Sequence, residues 1–212
     1  MLWVLRTGGP WRDLPAHYGS WNTVYTRFYR WSKSGLWMRI FDQLRVDARR
    51  RRVHDQCRGH QSASGFGRGS KKNGSQAFGP SRGGNTTKIH AVVDALGNPY
   101  RLALSAGQAH DVTMAPQLLD GITHAYVLAD KAADADALVQ SLEARHCQVI
   151  IPSRKNRILT RDIDKHSYKE RHLVENFFQK LKRPRRVGTR YEKLDCTFLS
   201  FVARPSILVF LT

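Results

Sequence analysis

"TTKIHAVVDALGNPYRLALSAG", residues Thr86–Gly107, reads as a β-hairpin. Ile89, Ala91 and Val93 alternate along one arm and Leu102 and Leu104 along the other. "LGNP" supplies the turn chemistry between them. Downstream, "HDVTMAPQLLDGI" is expected to be a short helix beginning near Asp111 and ending near Gly121. "AYVLAD" is a short apolar strand ending at Asp130. "DADALVQSLEARH" is a helix with Ala137, Leu138, Leu142 and Ala144 inward, and "CQVIIP" is another buried strand. Short apolar strands alternating with helices indicate a parallel portion of sheet behind the hairpin, and so an α/β fold.

Upstream, "WNTVYTRFYRWSKSGLWMRIFDQL" gives two helical segments divided at Ser34 and Gly35. Trp21, Val24, Tyr25, Phe28 and Trp31 recur at three- and four-residue steps, a stripe expected to pack the core, with Arg27 and Arg30 free to meet phosphates. "LWVLRTG" reads as the end of an apolar helix, so the chain is expected to begin inside an element. "LRVDARRRRVH" alternates enough around Leu44, Val46 and Val53 to suggest a strand holding Asp47. Residues 57–85, rich in Gly, Ser, Lys and Arg, read as a basic loop. The tail "LSFVARPSILVFLT" is expected to be helical up to Pro205, since an interior proline costs a helix about 3 kcal/mol.

The 35 Lys and Arg against 17 Asp and Glu give a formal net charge of +18. That surplus points to a polyanionic partner, nucleic acid above all. The 3 cysteines, Cys57, Cys147 and Cys196, form no Cys-x-x-Cys pair, which argues for a reducing compartment and against a zinc ribbon. No apolar run is long enough for a membrane span and the start lacks a signal-peptide layout, so a cytoplasmic location without a membrane partner is expected.

"YKERHLVENFFQKLK", Tyr168–Lys182, carries the chemistry-bearing pattern. On a single helix, Leu173, Val174, Phe177, Phe178 and Leu181 would form an apolar side, and Tyr168, Arg171, Glu175 and Lys182 a polar stripe. Glu175 could then be an ordinary solvated charge, Asp130 a helix cap and Asp47 an edge-strand charge. Taken together, two Asp at strands and one Glu on a late helix form the set expected if three carboxylates converge on divalent ions for in-line phosphoryl transfer.

The pattern of Tyr, two residues, Arg, three residues, Glu, six residues, Lys resembles bacterial insertion-sequence DDE transposases, specifically insertion-sequence family 5 within the family 4-like group. So do "WRDLPAHYGSWNTVYTRFYRWSKSGLW", "SRGGNTTKIHAVVDALGNP", "GQAHD", "LADKAADADAL" and "RYEKL", which extend the resemblance over nearly the whole chain. The resemblance implies a partial helical N-terminal region, 1–43, and an RNase H-like catalytic domain, 44–212, with the basic loop at 57–85. It implies catalytic, metal-binding Asp47, Asp130 and Glu175, and accessory DNA-facing Tyr168, Arg171 and Lys182. It further implies two Mg2+ or Mn2+ ions, double-stranded transposon ends and target DNA as partners, a homo-oligomer, and cleavage followed by strand transfer. Three departures stand out. The region usual before "LWVLRTG" is absent, Ala132 and Ala133 replace Gly and Tyr after Asp130, and Ala48 and Arg49 replace small hydroxyl residues after Asp47. They leave a DNA-binding, catalytically inactive remnant as the alternative, with a structure-selective RNase H-like nuclease as a third reading.

Overall fold

A computed structural model of the chain describes residues 1–51, 56–58, 75–81, 84–158 and 160–211, with the backbone alone at 47–51, 56–58 and 165. In chain order the elements are α1 (Leu2–Thr7), α2 (Trp21–Lys33), α3 (Leu36–Arg51), β1 (Gln56–Arg58), β2 (Gly79–Ser81), β3 (Gly84–Val93), β4 (Pro99–Ala106) and α4 (Ala115–Leu118). There follow β5 (Tyr126–Leu128), α5 (Asp136–Glu143), β6 (Gln148–Ile150), α6 (Lys165–Lys169), α7 (His172–Lys182), α8 (Arg185–Gly188) and α9 (Asp195–Val209).

The hairpin is β3 and β4, with Ile89 opposite Leu104 and Ala91 opposite Leu102. Its turn is locked by Asp94, whose Oδ1 accepts the Leu96 and Asn98 amides at 2.9 Å, and by Gly97 at φ 80°. β1 runs antiparallel to β3 on one side and parallel to β5 on the other, and β6 continues the parallel portion. β2 pairs with the start of β3.

The hairpin's alternation separates two cores. Ile89, Ala91, Val93 and Leu102 face Val174, Phe177, Phe178, Phe198 and Phe201 of α7 and α9. Val92, Tyr100 and Ala103 face Leu118, Leu138, Val139 and Leu142 of α4 and α5. The first core also takes in Val4, Leu5, Phe28 and Phe41, so α1–α3 share it with the sheet, and the expected division at 43/44 falls inside α3. Among the described residues, no helix is long and apolar enough to cross a membrane.

Several expectations are corrected. The segment around Asp47 is helical, since α3 runs to Arg51 and the first strand begins at Gln56. Leu44 and Val46 alternate too briefly to hold a strand, whereas Met38 and Phe41 dock one helical side on the first core and the arginines are good helix formers. Within the basic loop, 79–81 and 84–85 are strand; 59–74 and 82–83 lie outside the described residues. The first helical segment after the hairpin opens with a 3-10 turn, Asp111–Met114, before α4. On α5 the inward residues are Leu138, Val139 and Leu142, while Ala137 and Ala144 face out. α9 continues through Pro205, because burial of Phe201, Val202 and Ala203 before it and of Ser206 after it outweighs one lost backbone bond. Of the α2 stripe only Phe28 is fully buried; Trp21 and Tyr25 remain 37% and 38% exposed.

Candidate active site

The sheet register and two tertiary contacts locate the elements that bear Asp47, Asp130 and Glu175. Arg58 of β1 lies opposite Val93 of β3 and Leu128 of β5, and Val93 opposite Pro99 of β4. Arg58, Val93 and Leu128 therefore lie at one level of the sheet. From that level β5 leads to Asp130 on the side of the hairpin's body, and the hairpin turn projects the opposite way. Gly97 in the turn lies against α7, where a Cβ would sit 3.7 Å from Leu173 Cδ2, two residues before Glu175. Arg45 of α3 donates Nη1 to the Tyr100 carbonyl at 3.3 Å and stacks 4.7 Å over its ring, which brings α3 to the start of β4 two residues before Asp47.

Asp130 is half-buried, and its Oδ1 accepts the Ala132 amide at 3.0 Å, so it caps the turn Lys131–Ala133 from the position expected of a functional group. Glu175 pairs with Arg171 one turn earlier, and its side chain is 39% exposed. Arg171 also lies 6.0 Å from the Tyr168 ring. These three belong to two helices: α6 ends at Lys169, and Glu170, Arg171, Leu173 and Val174 make i to i−3 backbone bonds leading into α7. The expected single stripe is thus a tightened junction that still brings Tyr168, Arg171 and Glu175 together. Val174, Phe177, Phe178 and Leu181 bury as expected, and exposed Lys182 ends α7, about 10 Å along the axis from Glu175. The Asp47 side chain lies outside the described residues. Among the described residues, no three His, Cys, Asp or Glu side chains form a metal-holding group.

Beside Asp130 stands a cluster that sequence reasoning missed. The Asp134 carboxylate is 1% exposed, accepts the Arg154 amide at 2.8 Å, and is paired with Arg157 and Arg161. Both arginines also reach Asp136, forming a double fork that ties Arg157 and Arg161 to the start of α5. Burial pushes the Asp134 carboxyl up, but the Arg154 amide and the two guanidinium groups outweigh it and hold the pKa below the ordinary value. A depressed folded-state pKa adds stability that is fully present above the unfolded value, near 4, and is lost as pH falls through the folded value. Stability should therefore fall steeply below about pH 4. Asp134→Asn should cost about 3 kcal/mol at pH 7 and flatten this acid limb, as urea melts at pH 7 and pH 3 would read. Equal pH dependence of the two proteins would remove Asp134 from the cause.

A second unforeseen feature organises "RYEKL". Arg190 is 1% exposed and donates to the carbonyls of Glu192 and Lys193 at 2.8 and 2.9 Å, and to Thr87 Oγ1. It lies 4.9 Å from the Phe198 ring, and burial brings its pKa down to about 10. Arg186 Nε donates to Glu192 Oε1 at 2.8 Å, and its Nη1 to the Gly8 and Gly9 carbonyls at 3.1 and 3.0 Å. Two buried guanidinium groups thus hold the 185–194 turn against both the sheet and the N-terminal helices.

Residues 1–41 match the family described as "Putative transposase of IS4/5 family", and residues 42–204 match "Transposase DDE domain". A Brucella ovis protein named "Putative transposase for insertion sequence element IS6501" is 40% identical over 130 residues, 59% of this chain and 98% of that protein. "Uncharacterized protein y4sN" of Sinorhizobium fredii is 32% identical over 74 residues, 31% of this chain and 59% of that protein. No solved structure gives a significant match.

Proposed function

Because the chain belongs to the DDE transposases of insertion sequences of the IS4/5 family, we propose that it cleaves DNA at element ends and joins the freed 3'-hydroxyls to target DNA. The match of residues 42–204 to the transposase DDE domain carries this reading, and it is supported by Asp130 at the exit of β5 and by the contacts of α3 and α7 with the hairpin close to Asp47 and Glu175. The strand order β4-β3-β1-β5-β6, with β1, β5 and β6 parallel, supports an RNase H-like core. On this reading 44–212 is the catalytic domain and 1–43 an accessory DNA-facing region. The protein works in the cytoplasm, on double-stranded DNA and as a homo-oligomer.

The donor set suits a hard cation. Glu175 is solvent-accessible, Asp130 is half-buried with one oxygen engaged by an amide, and carboxylate oxygens are what Mg2+ and Mn2+ prefer. Asp47, Asp130 and Glu175 would hold the ions, two in number, which when bound activate an attacking oxygen and stabilise a leaving one. Arg171 pairs with Glu175 in the free protein and offers its guanidinium to a phosphate when DNA arrives. Tyr168 steadies that guanidinium from its ring face. Lys182 supplies a phosphate contact about 10 Å away along α7.

The phosphate role of Lys182 has a direct test. Lys182→Ala should weaken binding of element-end duplex DNA and reduce the slope of log K against log salt by about 1. Fluorescence anisotropy from 50 to 300 mM KCl reads it; an unchanged slope would take Lys182 out of the phosphate contacts. The alternative reading, a DNA-binding remnant, is favoured by Ala132 and Ala133 standing in the turn that Asp130 caps. It predicts the same salt slopes without cleavage.

A further inference from the structure

The α2 stripe that fails to bury opens onto a cleft of about 550 Å3. Trp11, Tyr25, Tyr29 and Tyr191 wall it, and Arg186 and Glu192 line it. The rings are already ordered against one another. Tyr25 meets Trp11 edge-on at 5.5 Å and lies nearly parallel to Tyr29 at 6.1 Å, while Tyr191 sits 4.7 Å over the Arg186 guanidinium. Tyr25 and Tyr191 are 38% and 55% exposed, so two large aromatic faces stand open at the mouth.

The polar wall is equally unusual. The Glu192 side chain is 8% exposed; Arg186 bonds its Oε1, and Oε2 is buried with no hydrogen-bond partner among the described residues. A buried acceptor left open costs free energy unless something donates to it. Lys33, 5.0 Å over the Tyr29 ring, and Lys193 on the cleft wall add positive charge beside the aromatic faces.

We propose that this cleft receives an unpaired nucleobase of the bound DNA, stacked against Tyr25 and Tyr191, with the adjoining phosphates beside Lys33 and Lys193. The inference builds on the DNA reading above. Every base has a face that stacks on tyrosine once it leaves the helix. Volume, open aromatic faces and flanking cations together match that ligand and suit a fully paired duplex poorly.

The test compares three duplexes by fluorescence anisotropy: fully paired, carrying one extra adenine on one strand, and carrying an abasic residue at that extra position. The protein should bind the adenine duplex about tenfold more tightly than the abasic one. Tyr25→Ala should bring that ratio close to one without changing affinity for the paired duplex, and Tyr25→Phe should keep it. Equal affinity for the adenine and abasic duplexes, with paired-duplex binding intact, would overturn the base site alone. Failure to bind any of the three would overturn the DNA reading, and the base site with it. A ratio that survives Tyr25→Ala would assign the preference to another surface and overturn the cleft.

Discussion

Glu175→Gln is expected to lower metal-dependent DNA cleavage by more than the roughly 10- to 100-fold typical of residues that only support a metal site, while leaving DNA affinity within about twofold. The asymmetry follows from what the side chain touches. Glu175 is an anion on a strongly basic chain and pairs with Arg171, so it adds nothing attractive toward phosphate. Its amide replacement keeps the shape and loses the charge a cation needs. It also frees Arg171, so a slight gain in affinity is the direction expected. Nicking of supercoiled plasmid in Mg2+ and in Mn2+, beside anisotropy on the same preparations, reads both quantities. A large loss of binding together with cleavage would recast Glu175 as a structural partner of Arg171.

The second large effect lies far from the chemistry. Arg186→Met should destabilise the protein by about 3–5 kcal/mol, because it leaves the Glu192 carboxylate buried without its cation and the Gly8 and Gly9 carbonyls without a donor. For a chain of this size that is a fall in Tm of about 6–20 °C. The double variant Arg186→Met with Glu192→Leu should recover much of the loss, since an apolar pair of similar bulk carries no desolvation penalty. Melting curves of both variants decide it. A single variant within about 1 kcal/mol of the parent would mean that the turn is held by Arg190 alone.

How far the sequence reaches differs between elements. The hairpin was legible because its two-residue alternation is long and its turn residues unambiguous, and the structure returns the pairing Ile89–Leu104 and Ala91–Leu102. The strand ending near Asp130 was legible for a related reason, since an apolar run buried on both sides leaves few other solutions. Asp47 was misplaced on a strand because Leu44, Val46 and Val53 alternate over too short a window to outweigh an arginine-rich helix. β1 was hidden, because its three residues, Gln56, Cys57 and Arg58, carry no apolar signal and owe their strand to β3 and β5 on either side. The break between α6 and α7 arises from backbone bonds that side-chain periodicity does not record.

Buried charge was the least visible. Arg186, Arg190 and Asp134 each read as surface residues by type, and only the assembled fold supplies the carbonyls and opposite charges that make their burial tolerable. "RYEKL" was noticed as a resemblance, yet its physical content, two pinned guanidinium groups and a half-satisfied carboxylate beside open tyrosines, emerges only from contacts across the chain.

The central claim is joining of DNA by the carboxylates of Asp47, Asp130 and Glu175. Its most direct test mixes duplex ends carrying a free 3'-hydroxyl with supercoiled target and Mg2+ or Mn2+, and scores covalent end-to-target products for the parent chain and for Asp47→Asn, Asp130→Asn and Glu175→Gln. The account predicts products with the parent chain and none with any of the three variants, all four folded and DNA-binding. Cleavage without joining, or joining that survives Asp47→Asn, Asp130→Asn or Glu175→Gln, would contradict it.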